Sequence, residues 1–443
     1  MKFSRRHGKV IFSIFLLTLS FSFFGMSKAP KNAKKSQTAS AIEEEPASIF
    51  ESLFQTWAIQ KSQISDKMKA IGLADDPVSE LPEKMQLEIH GKPVDLKPQY
   101  TVDAFLQKQV KDLIKQYKPD YAAFVAIEPE TGRVLAFVSS AQKKTYRSNV
   151  ALAATYPAAS VFKMVTASAA IETKQFKSNS EISFSGNNHT LYRRNVNSQK
   201  VDRWTRSMSL KEAFGKSVNT VFAKIGLFHV GGHTLQAYAE KFGFNHSLHF
   251  DLPVSESRAI IPDNDWGVAE AASGFTTDIM MSPVQGAMMA AAIANDGVMM
   301  EPYVVHKLFD GKGELQYKAK PKILRTVLGH EAADEVKKLM NETVEHGTSK
   351  KFFKPFIKLA QVQEWDVGGK TGSLTGLHPF GKYDWFVGYA NFQGKKVAVS
   401  ALTIHEKYWK VKSAFLARRA FESFLKSHYI VPKSLRSKYA LIK

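Results

Sequence analysis

The chain has 443 residues, 44% hydrophobic and 12% aromatic, which is material for a large folded body and excludes a disordered protein. It contains no cysteine, which excludes a disulfide framework, thiolate catalysis and cysteine-based metal sites. A formal net charge of +20 raises nucleic acid as a partner, but the export signal at the N-terminus argues against it; anionic lipid, wall polymer or plain solvated lysines account for the excess.

Lys2, Arg5, Arg6 and Lys9 precede an apolar run over residues 10–26, the pattern of an export signal. Residues 1–27 read as an uncleaved membrane anchor, because the run approaches the ~17–25 residues of a spanning helix. The small-x-small site Ser27-Lys28-Ala29 is followed by Pro30, a poor residue for signal peptidase, and Gly25-Met26-Ser27 is the remaining cleavage site. The basic flank stays cytoplasmic, so the rest of the chain is expected on the outer side of a bacterial cytoplasmic membrane.

Residues 28–93 read as a tether and a juxtamembrane helix. The first part is rich in lysine, alanine and serine and carries Glu43-Glu44-Glu45, a composition that builds no core. Ile49, Phe50, Leu53, Phe54, Trp57 and Ile64 then recur at helical spacing, and their apolar face calls for cover by the protein's own body, a partner or lipid.

Residues 94–428 carry the pattern of an α/β (α+β) domain. A helix is expected over residues 102–117, then strands over 122–127 and 133–138 joined by Glu128-Pro129-Glu130-Thr131-Gly132. A second hairpin is expected late, over 384–391 and 396–404 around Gln393-Gly394, followed by a terminal helix near 413–425. The stretch between the hairpins is mainly helical. Strands at both ends with helices between them imply an antiparallel sheet closed by the two ends of the domain, covered by helices, with an all-helical subregion. Residues 429–443 form a basic tail.

Three clusters carry chemistry. Ser160-Val161-Phe162-Lys163 opens an apolar stretch over residues 164–171, expected as a buried helix with Ser160 at its N-terminus. Lys163 lies one turn on; burial and the positive helix end disfavour its ammonium, so it can take the serine proton. Ser140-Ala141-Gln142-Lys143 repeats the spacing but lacks the apolar helix, and reads as a solvated loop.

The second cluster is Ser217-Val218-Asn219, a hydroxyl to relay a proton to a leaving amine and an amide to hold a peptide group; Ser185-Gly186-Asn187 matches the same pattern in a polar loop. The third is Lys370-Thr371-Gly372-Ser373, expected on or beside a strand. Gly372 there permits close approach of a substrate backbone. Lys370 supplies a fixed cation, while Thr371 and Ser373 supply hydroxyls for a terminal carboxylate. The N–H groups of Ser160 and Ser373 form a candidate oxyanion hole.

A phosphate loop ending in Gly369-Lys370-Thr371 fails, because Glu364 stands where its first glycine belongs and no helix follows. His229-Val230-Gly231-Gly232-His233 is not a zinc motif, since the glycine pair breaks the helix and no glutamate lies between the histidines. No metal and no cofactor are expected.

With Ser160-Lys163, Ser217-Asn219 and Lys370-Thr371-Gly372 in that order, about 57 and 153 residues apart, the chain resembles the penicillin-binding transpeptidase superfamily. Val125-Ala126-Ile127-Glu128-Pro129-Glu130-Thr131-Gly132, Ala292-Ile293-Ala294-Asn295-Asp296-Gly297 and Trp385-Phe386-Val387-Gly388-Tyr389 are similar to other parts of that family, and the likeness covers roughly residues 94–425. The resemblance implies a peptidoglycan D,D-transpeptidase. Ser160 attacks the D-alanyl-D-alanine end of a stem peptide, D-alanine leaves, and an amine or water takes the acyl group; β-lactams acylate the same serine. Ser373 departs from the commoner threonine but keeps the hydroxyl and the N–H. About 65 residues separate the membrane segment from the domain, too few for a glycosyltransferase, so a glycan polymerase would be a separate protein. The same resemblance leaves open a D,D-carboxypeptidase or endopeptidase, and a β-lactam-binding sensor or scaffold.

Overall fold

The computed structural model describes residues 59–428 except 78, 79, 144 and 199. Helix α1 (Lys61–Ala70) buries Ile64 and Met68, one turn apart. A hairpin of β1 (Met85–Ile89) and β2 (Lys92–Tyr100) follows, with Met85, Leu87 and Ile89 buried and Gln86 and Glu88 exposed. Helix α2 (Ala104–Tyr117) begins where the Asp103 carboxylate accepts from the N–H groups of Phe105 and Leu106, and stops at Lys118 in the left-handed conformation.

Strands β3 (Tyr121–Ile127) and β4 (Val134–Ala141) form the early hairpin. Helix α3 (Lys163–Lys174) is entered through a 3₁₀ turn, Ala159–Phe162. In α4 (Pro283–Ala294) every residue is buried; Ser282 caps it and Pro283 starts it. Then come β5 (Val305–Phe309), β6 (Leu315–Lys318), α5 (His330–Glu345), α6 (Lys350–Val362), the long strands β7 (Asp366–Leu377), β8 (Phe380–Phe392) and β9 (Lys395–His405), and α7 (Ser413–His428).

The central sheet is antiparallel with order β7-β8-β9-β3-β4, so the early and late hairpins meet at its middle, as the sequence implies. All of β3 is buried, and its alternate residues serve different cores. Ala122, Phe124 and Ala126 pack with α2, α6 and α7, whereas Ala123, Val125 and Ile127 pack in the core that includes α3 and α4. The sheet is therefore a middle layer between helices, and its strands are held in place from both faces.

The folded body begins before residue 94. The expected boundary falls inside β2, which pairs with β5 in a second antiparallel sheet of order β1-β2-β5-β6. Ile59, Ile64, Met68 and Leu73 belong to the main core, so this part of the supposed tether is structural. The sequence signal was weak for a physical reason: β2 buries only Leu96 and carries two prolines, so backbone pairing with a distant strand forms it rather than an apolar face. The apolar run 10–26, the tether up to residue 58 and the tail 429–443 lie outside the described residues. Among the described residues no helix is long and apolar enough to cross a membrane.

Asp251 anchors the second sheet. Its wholly buried carboxylate accepts from Val304 N–H (3.0 Å to each oxygen) and Val305 N–H (2.7 Å), fixing the start of β5. Burial raises its carboxyl to about 6, against the pull of Lys61 and those N–H groups. Asp251→Ala leaves two buried donors unpaired and is expected to lower unfolding free energy by about 2–4 kcal/mol. The check is a fall in the urea midpoint at unchanged slope.

Candidate active site

Ser160 sits in the 3₁₀ turn ahead of α3, not in the α-helix itself. Ala159 before it has φ 49°, a left-handed conformation that costs a non-glycine residue of order 1 kcal/mol. That turn is clamped by its neighbours. Tyr156 and Pro157 pair with Met280 and Met281, and the Trp385 indole on β8 donates to Pro157 O (2.9 Å).

Two glycines let backbone approach this turn. Gly274 has φ +64°, and a Cβ there would lie 2.1 Å from Ala159 O. A Cβ on Gly372 would lie 3.1 Å from Val161 Cγ2 and 3.2 Å from Ala158 O, so Gly372 seats β7 against the nucleophile turn. Gly372 also lines the pocket, so the missing side chain serves the packing of the nucleophile turn as well as the pocket wall where the sequence reading expected a substrate backbone.

Lys163 is fully buried, and its Nζ lies 2.8 Å from Ser160 Oγ and 2.8 Å from Asn219 Oδ1, with Ser273 O as a third partner. All three partners are uncharged. Burial first, and the nearby Lys370 second, push the Lys163 amine well below its ordinary range. A neutral amine has two N–H donors and one lone pair. Asn219 and Ser273 take the donors, which leaves the lone pair for the Ser160 proton.

Asn219 begins the short helix Asn219–Lys224. Its Nδ2 donates to His189 O (2.9 Å) and its N–H to Asn188 O (2.7 Å). The amide is thus anchored by the loop just after Ser185-Gly186-Asn187, whose own Ser-x-Asn spacing had no site to serve. Ser217, with φ 55°, presents its hydroxyl 2.9 Å from Lys370 Nζ.

Lys370 is wholly buried, donates also to Thr371 O (3.0 Å), and is lowered to about 7 by burial. The sequence expectation made it a cation facing a carboxylate; the structure places it behind Ser217, outside the pocket lining. The pocket, a cavity of about 320 Å³, is lined by Ser160, Ser217, Asn219, Thr371, Gly372 and Ser373 together with residues that the sequence reading missed. Thr348, Phe352, His189, Gly274, Phe275, Asp384 and Lys412 are among these. Thr348 Oγ1 lies 2.5 Å from Thr371 Oγ1. His189 is held below its usual range by burial and by the two lysines, so its imidazole stays neutral at the pocket wall.

The other copies fall where solvent takes them. Ser140 lies within β4, paired with Ala122, and is not in the loop that the sequence suggests, because the strand runs on to Ala141; Lys143 is exposed and paired with Glu406 at 2.5 Å. Gly231, at φ 80°, breaks the chain between His229 and His233, as the glycine pair predicts. Among the described residues, Asp296, His330 and Asp334 could offer a metal three ligand atoms, but they lie outside the pocket lining, and Lys337 Nζ already sits 2.9 Å and 2.6 Å from the two carboxylates.

Residues 122–422 match the family described as penicillin binding protein transpeptidase domain. The peptidoglycan D,D-transpeptidase PbpA of Mycobacterium tuberculosis (strain ATCC 25618 / H37Rv) is 29% identical over 351 residues, covering 68% of this chain and 66% of that protein. Stage V sporulation protein D of Bacillus subtilis (strain 168) is 24% identical over 298 residues, covering 64% and 44%. The chain thus spans no more than two thirds of the length of these curated relatives. Among solved structures, a D,D-transpeptidase domain of a peptidoglycan glycosyltransferase from Eggerthella lenta aligns with TM-score 0.62 at 24% identity, over 75% of this chain and 84% of that one. A penicillin G acyl-enzyme complex of penicillin-binding protein A from M. tuberculosis aligns with TM-score 0.57 at 26% identity, over 74% and 80%.

Because Lys163 accepts a proton only when neutral, the rate at which Ser160 reacts with an acylating reagent should rise with pH and level off well below 10.5, the ordinary lysine value. Lys370 is a like charge that lowers Lys163, so Lys370→Met should move this limb to higher pH. A pH profile of adduct formation in both proteins checks the sign; a limb that stays or moves down contradicts it. Gly274→Ala, which drives a methyl into Ala159 O, should slow the same reaction at least about ten-fold.

Proposed function

The chain belongs to the penicillin-binding protein transpeptidase family, and from that premise we propose that it is a peptidoglycan D,D-transpeptidase acting through a Ser160 acyl-enzyme. The observation that carries this reading is the buried, counter-ion-free Lys163 amine 2.8 Å from Ser160 Oγ. Ser217 also meets a buried lysine, Lys370 at 2.9 Å, but that amine also donates to Thr371 O and does not line the pocket.

In the first step Lys163 takes the Oγ proton as Oγ bonds to the penultimate carbonyl carbon of a D-alanyl-D-alanine stem peptide. The N–H groups of Ser160 and Ser373 receive the negative charge that develops on oxygen. The C–N bond then breaks. Ser217 gives its hydroxyl proton to the departing D-alanine amine and regains one from the lysines; Lys370 donating to its oxygen turns that proton toward the pocket. An acceptor amine then attacks the ester carbonyl and passes its proton to Lys163; the bond to Ser160 Oγ breaks and Oγ takes that proton back, which restores the serine and the neutral lysine. Asn219 keeps Lys163 aimed, while Thr371, Gly372 and Ser373 line the position of the donor peptide.

The names of the curated relatives support this reaction, and the M. tuberculosis penicillin G complex supports covalent capture of the serine by β-lactams. The N-terminal basic and apolar segment supports a body held on the outer side of the cytoplasmic membrane, with stem peptides as partner and with glycan polymerisation supplied by another protein. Water in place of the amine would make the same site a D,D-carboxypeptidase.

A labelled penicillin should form a stable adduct that disappears in Ser160→Ala and persists in Ser140→Ala, read by gel and mass spectrometry. An adduct that survives Ser160→Ala removes the nucleophile assignment. With a pentapeptide and an acceptor amine, the wild type should yield the cross-linked product; trimmed peptide alone would turn the reading to hydrolysis, and unchanged peptide to a non-turnover sensor.

A further inference from the structure

The peptide in this reading ends in a free carboxylate, yet the lysine expected to meet it, Lys370, is buried behind Ser217. Another cation does line the pocket. Lys412 lies just ahead of α7, and its Nζ is 3.1 Å from Asp384 Oδ1. Asp384 stands opposite Ser373 in the β7-β8 register, and Ser373 Oγ donates to the same oxygen (3.3 Å). The other oxygen, Oδ2, accepts from Ser413 N–H (2.7 Å), and Ser413 Oγ donates to Asp384 O (2.5 Å). This carboxylate therefore ties the pocket edge of the sheet to the start of α7.

We propose that Lys412 is a specificity-determining residue whose ammonium, held beside Ser373 by Asp384, binds the free carboxylate of the peptide presented to Ser160. The inference rests on the proposed function. Asp384 is nearly inaccessible, with 8% of its side chain exposed against 32% for Lys412, so the pair is tilted with its positive end toward solvent and the pocket. An ammonium has three N–H donors, and Asp384 takes one. The Trp409 ring, its centroid 3.2 Å from Nζ, limits the swing of the chain.

The same arrangement fixes the polarity of Ser373. While it donates to Asp384, that hydroxyl turns its lone pairs to the pocket, and it carries no positive charge in any orientation. The cationic donor must then come from elsewhere, and Lys412 is the one lysine or arginine among the pocket's lining residues. Without Lys412, a buried Asp384 would face the incoming carboxylate as a like charge.

The test compares benzylpenicillin with its methyl ester, which lacks the carboxylate, on the full chain. The quantity read is the ratio of the two second-order adduct-forming rates, followed by mass spectrometry. Lys412→Met should lower the carboxylate-over-ester ratio about ten-fold or more. Asp384→Asn keeps an acceptor for Ser413 but frees the ammonium, and should raise the ratio; the double variant should fall between the two. A merely structural role for Lys412 lowers both rates together and leaves the ratio unchanged, which overturns the proposal. If Lys412→Met does not fold, Asp384→Asn decides alone, since a ratio that stays or falls is the overturning result. No adduct with either compound on the wild type removes the proposed function and this inference with it, whereas an adduct with an insensitive ratio removes only the inference.

Discussion

A lysine buried without a carboxylate is the constraint around which the rest is arranged. Ionised and unpaired in that setting, Lys163 would cost several kcal/mol, so the fold favours the neutral amine and then has to satisfy its two N–H groups. It does so with Asn219, at the start of one helix, and Ser273 O, at the end of the helix Asp265–Ser273. The Phe222 ring, 5.7 Å from Nζ, belongs to the same apolar wall. Three chain segments far apart in sequence thus converge on one nitrogen. The lone pair is aimed by helix packing, and the short Ser-x-x-Lys pattern is only the visible end of that arrangement.

Aim alone does not make a reacting serine, because the substrate has to sit between it and a second wall. That wall is β7, an edge strand paired along its whole length with β8 and open on its other side. Pairing makes it rigid, and being an edge leaves outward N–H and C=O groups without a neighbouring strand. Gly372 removes the side chain that would hold it off the nucleophile turn, and Gly274 does the same for the segment that supplies Ser273 O. The distance across the pocket is therefore set by two absent Cβ atoms and by the Trp385 bond to Pro157. A rigid gap of this kind keeps reacting atoms near bonding distance without any motion of the sheet.

Much of this was legible in the sequence where apolar periodicity was strong. The all-buried β3, the apolar α4 and the late hairpin announced themselves, and their positions at the two ends of the domain implied an antiparallel sheet closed by those ends, though not its full strand order. The second sheet was not legible, because β2 buries only Leu96 and depends on pairing with residues some 200 positions later. Around the pocket, short patterns backed by an apolar helix or strand singled out Ser160, Lys163, Ser217, Asn219 and the Lys370 strand, which the structure brings together. Missed were the groups that act by carbonyl, loop or register: Ser273 O, His189 O and Asp384. A backbone carbonyl has no side-chain signature, and Asp384 gains its meaning only once β8 is laid beside β7. The pattern placed Lys370 on a strand but could not show that its amine is buried against Ser217, since a one-dimensional pattern does not tell which way a lysine points.

The charge of the pocket follows from these local arrangements and not from the +20 of the whole chain. Three lysines surround Ser160, and each is handled differently. Burial pushes Lys163 toward the neutral amine, the form that can take a proton; Lys370, lowered to about 7, lies against Ser217; Lys412 pairs with a single, nearly buried carboxylate. Moving any one of them into the setting of another would defeat it. A charged amine at the first position cannot accept the serine proton, and a neutral one at the third cannot offset Asp384. The pocket's chemistry is therefore a gradient of burial from Lys163 outward to Lys412, built by how deeply each side chain is covered by the helices on the two faces of one sheet.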